Sequence, residues 1–169
     1  WNHAMFGDES KAVELLRSVD ELPDSEKFSM PYCSPAIEIA WAYRQAGEEA
    51  AFQRLFPRCE QLLREQRLSS IAYSELDYLN ARISAMKGNT QRALAALATA
   101  IDKGWREWWT ENDPLLRGLR DEAAYQSAMD FIRKDLARQR AEARLLFSEG
   151  QDTDSRNRVP LRPRPPPAP

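Results

Sequence analysis

The segment "ARISAMKGNTQRALAALATA" (residues 81–100) contains the pattern from which the architecture can be worked out. Gly88 interrupts an apolar helical pattern, and Ala93, Leu97 and Ala100 follow it at offsets of five, nine and twelve residues. Glycine ends helices because it adopts a left-handed backbone without a Cβ penalty, and Asn89 is a good cap for a following helix. The segment therefore predicts two helices joined by a tight turn, with small residues that let them approach closely.

The same offsets recur after two glycines upstream, Gly7 and Gly47, which gives repeat lengths of 40 and 41 residues. The residues at those offsets are Ala12, Leu16, Val19, Phe52, Phe56 and Cys59. About two and a half helical hairpins are therefore predicted, and Asp8 is a further candidate helix cap. If Trp1 matches Trp41, the first hairpin begins inside a helix, so we expect the chain to be a piece of a longer protein.

Pro57 lies inside the predicted second helix of the second hairpin. Proline in a helix interior costs about 3 kcal/mol, because it lacks an N–H donor and clashes with the preceding turn. The sequence therefore predicts a kink or break near Phe56–Pro57.

These positions resemble the tetratricopeptide repeat (TPR) family over roughly residues 1–110. The family places a small residue seven before the turn glycine, an aromatic four before it, and small, bulky and alanine residues at the three later offsets. The matching residues are Ala40, Tyr43, Gly47, Phe52, Phe56 and Cys59, then Ala81, Ser84, Gly88, Ala93, Leu97 and Ala100. Phe52, Cys59 and Ser84 depart from this pattern, and both units exceed the family's period of about 34 residues. The resemblance implies an all-α, TPR-like solenoid of helical hairpins.

A long apolar stripe begins near Asp121 and continues to about Gly150, which predicts a long C-terminal helix that closes the solenoid. Residues 151–169 are rich in proline, which favours an extended or disordered tail, either a linker or a polyproline ligand. The predicted division is a helical repeat domain over 1–150 and a tail over 151–169. The later part of the helix is a candidate surface for a partner or for a homodimer.

The composition argues against several function classes. The net charge is −2, which does not favour nucleic-acid binding, and no apolar run approaches the roughly 20 residues of a membrane span. The chain has a single histidine, His3, and contains no clustered Cys and His ligands and no phosphate-binding glycine motif. We therefore predict no catalytic residues, no metal site and no cofactor.

The resemblance to TPR proteins implies that the first helix of each hairpin lines a concave groove that binds a protein or peptide. The groove residues it implies are Trp41, Arg44, Gln45, Glu75, Tyr78 and Arg82. Aromatic residues and arginines suit peptide recognition, so Trp41 and Tyr78 are expected to be exposed. The family's clamp for a C-terminal carboxylate requires asparagines where this chain has Trp41 and Arg82, so that activity is not expected.

Two alternatives remain open beside a protein-binding module. One is a small-molecule sensor domain of a transmembrane regulator, which predicts a closed pocket with convergent polar groups. The other is an ancillary domain of an enzyme whose catalytic part lies upstream. The C-terminal part of the chain, from Gly104 onward, is similar to the end of TPR modules in larger bacterial proteins, which implies a periplasm-facing module.

Three tryptophans lie within "GWREWWTEND" (residues 104–113). Their place after the last hairpin predicts a packing joint rather than a ligand platform, with Trp105 and one of Trp108 and Trp109 mostly buried. Directly after them, Asp113 is expected to cap a short helix that starts at Pro114.

The two cysteines, Cys33 and Cys59, lie in the second hairpin. They form either a disulfide or two buried thiols. A disulfide would indicate an oxidising compartment.

Overall fold

The computed structural model describes residues 8–21, 34–68 and 73–156, and within these ranges every regular element is a helix. The α-helices are α1 (Glu9–Val19), α2 (Ser34–Gln45), α3 (Glu49–Leu68), α4 (Ser74–Met86), α5 (Thr90–Asp102) and α6 (Ala123–Arg156). Two 3₁₀ helices, η1 (Trp108–Asn112) and η2 (Pro114–Leu119), lie between α5 and α6. The predicted all-α class is confirmed.

The turn glycines end three of these helices in the same way. Gly47, Gly88 and Gly104 have φ angles of 72°, 74° and 100°, in the left-handed region. At each one, the next residue donates its N–H to the carbonyl five positions earlier, at 2.8–2.9 Å; these bonds join Glu48 to Tyr43, Asn89 to Ser84 and Trp105 to Ala100. This is the Schellman arrangement, which satisfies carbonyls at the helix end and reverses the chain.

Side-chain caps begin two of the helices. The Asn89 side chain accepts a hydrogen bond from the Arg92 backbone N–H at 3.1 Å, and Asp8 accepts one from the Lys11 N–H at 3.2 Å. Both caps agree with the sequence, and each contributes about 1 kcal/mol to helix stability. In the turn between α4 and α5, Gly88 thus ends the first helix and the Asn89 side chain caps the second.

The residues at the repeated offsets form the contacts between helices. Eight of the nine are buried and Val19 is partly buried; the eight are Ala12, Leu16, Phe52, Phe56, Cys59, Ala93, Leu97 and Ala100. Helix α2 packs against α1 and α3, and α4 packs against α5 and also contacts α3. The rings of Phe52 and Phe56 stack at 4.9 Å between centroids. The spacing pattern of the sequence therefore marks the core.

Helix α3 runs without interruption from Glu49 to Leu68, so the break predicted near Pro57 is wrong, while a kink there stays a prediction. Leu55, Phe56 and Cys59 are buried on either side of Pro57, so packing holds both halves of the helix in place. Pro57 itself is exposed. The carbonyl four residues before it has no helical N–H donor, because proline lacks one, and this carbonyl lies on the side of α3 that faces water.

The C-terminal helix is longer than predicted, because α6 continues to Arg156 rather than ending near Gly150. The chain divides into two units, Trp1–Arg133 and Lys134–Pro169, so the domain boundary expected at residue 150 lies inside the second unit. Residues 157–169 of the predicted tail lie outside the described residues.

The two parts of α6 differ in burial. Tyr125, Met129 and Ile132, in the first unit, are each 3% exposed. In the second unit, Leu145, Leu146 and Phe147 are 64%, 71% and 76% exposed. An apolar surface of this kind suits a partner, and the homodimer through this helix stays a prediction.

Replacing Gly88 by alanine is expected to lower the free energy of unfolding by about 1–2 kcal/mol, because a Cβ is strained at a positive φ. No atom lies within 4 Å of the added Cβ, so the loss would come from the backbone alone. Gly118→Ala is the matched control, since its site is equally open but its φ is not positive. Urea unfolding followed by circular dichroism measures both variants, and equal effects would contradict the assigned turn.

Candidate functional site

Three aromatic rings meet at the joint between α4, α5 and η1. The Trp105 ring stacks on Tyr78 with centroids 4.1 Å apart and planes 15° apart. The Trp109 ring lies nearly perpendicular to both, with its centroid 5.5 Å from that of Tyr78 and 5.6 Å from that of Trp105. Edge-to-face and offset-stacked pairs are favoured because of the ring quadrupoles, and each adds roughly 0.5–1.5 kcal/mol.

The burial of the tryptophans matches the predicted packing joint. Trp105 is 8% exposed, and its indole N–H donates to the Thr110 hydroxyl at 2.9 Å. Trp109 is partly buried, and Trp108 is 57% exposed. Trp105 and Trp109 are therefore the inner pair, and Trp108 is the residue left at the surface.

A buried ion pair lies beside these rings. The Arg82 guanidinium contacts the Asp113 carboxylate, with Nε and Oδ2 3.0 Å apart, and also donates from Nη2 to Glu38 Oε1 at 3.1 Å. The Arg82 side chain is 3% exposed and that of Asp113 is fully buried. Ions this deep require partners, since the cost of removing each from water is several kcal/mol. The contacts join α2, α4 and the segment between η1 and η2.

Asp113 holds this joint together through three partners. Besides its ion pair with Arg82, it accepts a hydrogen bond from the Tyr78 hydroxyl at 2.6 Å. Its other oxygen accepts the Leu115 backbone N–H at 2.9 Å, which caps η2 in front of Pro114. The Asp113–Pro114 pair predicted the cap, whereas nothing in the local sequence predicted the buried ion pair.

Burial and charge fix the protonation states of this cluster. Burial, followed by the charge of Asp113, holds the pKa of Tyr78 well above its ordinary value, so the phenol stays a neutral donor. Burial lowers the pKa of Arg82, but the charges of Asp113 and Glu38 outweigh it and raise that pKa. Burial also raises the pKa of Glu38, against the opposing attraction of Arg82.

A pocket of about 310 Å³, which we call the Trp109 pocket, opens beside the aromatic rings. It is lined by Glu75, Tyr78, Leu79, Arg82, Trp105, Glu107 and Trp109. Glu107 accepts a hydrogen bond from the Trp109 indole N–H at 3.1 Å, which holds an exposed carboxylate next to the ring. The charge of Arg82 is balanced by its two carboxylate partners, so the accessible charge of the pocket is acidic.

The structure brings together only half of the expected groove residues. Glu75, Tyr78 and Arg82 line the Trp109 pocket, whereas Trp41, Arg44 and Gln45 do not. The expectation that Trp41 and Tyr78 are exposed is wrong, since they are 4% and 3% exposed. Trp105 covers Tyr78, and Trp41 belongs to the hydrophobic core.

Gln45 and Arg44 are exposed near the end of α2. Arg44 is nevertheless engaged within the protein, because its guanidinium donates to the Met86 carbonyl and lies over the Phe52 ring at 5.4 Å. The hydrogen bond from Arg44 therefore holds the end of α2 against the end of α4.

Sequence reasoning named Tyr78 and Arg82 but missed Glu38 and the pairing of Arg82 with Asp113. Tyr78 and Arg82 are four residues apart on α4, so helical periodicity already places them on one face. Glu38 lies three residues before Trp41 on α2, and this spacing could have marked it as a partner for that face. The pairing of Arg82 with Asp113, 31 positions later, has no local signal.

Metal and membrane signatures are absent from the part of the chain that the structure describes. No group of three or more His, Cys, Asp or Glu residues there could hold a metal ion. None of the helices in the described ranges combines the length and the apolar character that crossing a membrane requires.

Cys59 is buried in the contact between α2 and α3. Cys33 lies outside the described residues. The choice between a disulfide and two buried thiols therefore stays a prediction.

No family model matches this chain, and neither a curated protein nor a solved structure matches it.

Replacing Arg82 by methionine is expected to cost about 3–5 kcal/mol of unfolding free energy, because Asp113 would remain buried without its counterion. Adding Asp113→Asn to this variant removes the stranded charge and keeps an oxygen to cap η2. We expect the double variant to recover part of the loss in urea unfolding. A double variant as unstable as the sum of both single changes would contradict a coupled pair.

The raised pKa of Glu38 predicts the direction in which the free energy of unfolding changes with pH. A carboxyl with a raised pKa binds its proton more tightly in the folded state, so it lowers stability as pH rises through that pKa. The unfolding free energy of the wild type minus that of Glu38→Gln should therefore fall as pH increases from below 4.5, the ordinary value. A difference that grows with pH would mean that the attraction of Arg82 outweighs burial.

Proposed function

We propose that this chain is a TPR-like solenoid of helical hairpins that acts as a non-catalytic binding module. Two glycine turns of one type, at Gly47 and Gly88, lie 41 residues apart and support the repeat. Burial at the repeated offsets supports it as well, because those residues fill the contacts between paired helices. The module presents the Trp109 pocket at the joint that follows the last hairpin.

The Trp109 pocket favours a cationic group as its ligand. Trp109 provides the accessible aromatic ring, since Tyr78 and Trp105 are only 3% and 8% exposed, and Glu75 and Glu107 provide carboxylates beside it. Aromatic faces attract cations by about 0.5–2 kcal/mol, and carboxylates add charge-assisted hydrogen bonds. The Tyr78 hydroxyl is bound to Asp113, and the charge of Arg82 is balanced by the same carboxylate, so neither side chain favours an anion here.

The size of the pocket limits what enters it. A volume of about 310 Å³ is at the lower end of the range for small-molecule sites. One lysine or arginine side chain fits that scale, and the rest of a peptide would lie outside the pocket. We therefore propose that the partner is a protein segment that inserts a basic side chain between Trp109 and the two glutamates.

A small organic cation is the second candidate, because the pocket combines a partly apolar wall with convergent carboxylates. This corresponds to the sensor alternative raised from the sequence. A free cation would bind without a peptide backbone, which separates the two candidates experimentally.

The test compares the wild type with Glu75→Gln/Glu107→Gln on an array of random short peptides. We expect the wild type to enrich peptides that contain lysine or arginine, and the double variant to bind them about tenfold more weakly. Glu122→Gln/Asp102→Asn removes the same charge from two exposed residues outside the pocket and should bind like the wild type.

Equal enrichment of basic peptides by both double variants would mean that net charge, rather than the pocket, attracts them. Titration with agmatine, followed by tryptophan fluorescence, tests the second candidate. Saturable binding of agmatine with no selection of peptides would favour the small cation.

A further inference from the structure

A second pocket, which we call the Asn80 pocket, lies on the other side of α4 between α3, α4 and the start of α5. It measures about 290 Å³. Its polar lining includes Glu60, Arg64, Asn80, Ser84, Lys87 and Arg92, none of which lines the Trp109 pocket. The two pockets are therefore independent sites.

Two buried polar side chains in the Asn80 pocket lack protein partners. Asn80 is 6% exposed and Ser84 is 2% exposed. They are four residues apart on α4 and both line the pocket. Among the described residues, neither the Asn80 amide nor the Ser84 hydroxyl makes a side-chain hydrogen bond, whereas the neighbouring Lys87 and Asn89 side chains do.

The polar atoms of Asn80 and Ser84 are not sealed from solvent, since none of them is among the fully buried nitrogens and oxygens that lack a hydrogen-bond partner in the described side chains. Polar atoms that face a pocket without a protein partner are left to pair with water or a ligand. The Asn80 amide and Ser84 hydroxyl both supply N–H or O–H donors. They thus mark the floor of a site for a molecule that carries acceptor oxygens.

The rim of the pocket is cationic. Lys87 pairs with Glu60 at 2.7 Å, which balances one charge. Arg64 and Arg92 are exposed, and in the described ranges neither forms an ion pair. Two guanidinium groups are therefore available beside the unpaired donors of the floor.

The start of α5 adds to this positive potential. The helix has 13 residues, begins next to the pocket at Asn89, and carries no acidic residue in its first turn. The positive end of its dipole is therefore not neutralised by its own side chains.

We propose that the Asn80 pocket binds a phosphate-type oxyanion, either inorganic phosphate or a small phosphate monoester. Arg64 and Arg92 would hold the charge by bidentate hydrogen bonds, which suit the planar guanidinium. Asn80 and Ser84 would donate to the remaining oxygens from below. The pocket is larger than one phosphate group, so a small organic group fits beside it.

The experiment titrates the full chain with inorganic phosphate at low ionic strength and follows NMR shifts. We expect saturable shifts of the Asn80 side-chain amide and of the Arg92 backbone amide. Arg64→Gln and Arg92→Gln should each weaken binding about tenfold, because each removes a charge-assisted hydrogen bond. Arg140→Gln, an exposed change on α6 with the same loss of charge, should not weaken it.

Asn80→Ala distinguishes phosphate binding inside the pocket from attraction by surface charge. It removes a neutral donor of the pocket and leaves the charged side chains in place. If it weakens binding while Arg140→Gln does not, the proposal stands. Shifts that never saturate, equal losses for all three arginine variants, or an unaffected Asn80→Ala would overturn it. The arginine variants are surface changes, so they test the proposal even if Asn80→Ala does not fold.

A parallel titration with glycerol 3-phosphate distinguishes the two sources of the oxyanion. Tighter binding than that of inorganic phosphate would assign the rest of the pocket to an organic group. Equal binding would assign the site to phosphate alone.

Discussion

The pairing of Arg82 with Asp113 is the interaction on which the joint around the Trp109 pocket depends. Both side chains are almost completely removed from water, so each is tolerated only while the other is held within contact distance. This requirement fixes α4 against the segment between η1 and η2. It also places Tyr78 beneath Trp105, because the Tyr78 hydroxyl binds the same carboxylate. The Trp109 pocket forms where these constraints meet.

The tryptophan joint has a structural role and contributes to a surface at the same time. Trp105 fills the space over Tyr78, while Trp109 forms one wall of the pocket. Glu107 directs its carboxylate toward that wall through the Trp109 indole. Trp109 is therefore both a packing residue and part of the pocket lining, so a change in it would alter both. By contrast, none of these rings lines the Asn80 pocket.

Patterns among nearby residues predicted the helices and their buried contacts. The candidate site was predicted only in part, because it depends on contacts between residues far apart in sequence. The offsets after Gly47 and Gly88 identified the buried contacts, because helical periodicity and the glycine stop act within a few residues. The same periodicity placed Tyr78 and Arg82 on one face but gave no information on what covers that face. Trp105 and Asp113 cover it from 27 and 31 positions away. Pro57 shows the same limit, since tertiary packing outweighs its local cost.

The glycine turns have a consequence for the order in which the molecule folds. Contacts within the α4–α5 hairpin join residues close in sequence, so they form early at a small loss of chain entropy. The Arg82–Asp113 contact closes a longer loop and gains energy only once both ions are shielded from water. We expect the hairpins to assemble first and the tryptophan joint to lock last. A slow late step of folding would therefore be detected at the pocket wall, after the α4–α5 hairpin has already formed.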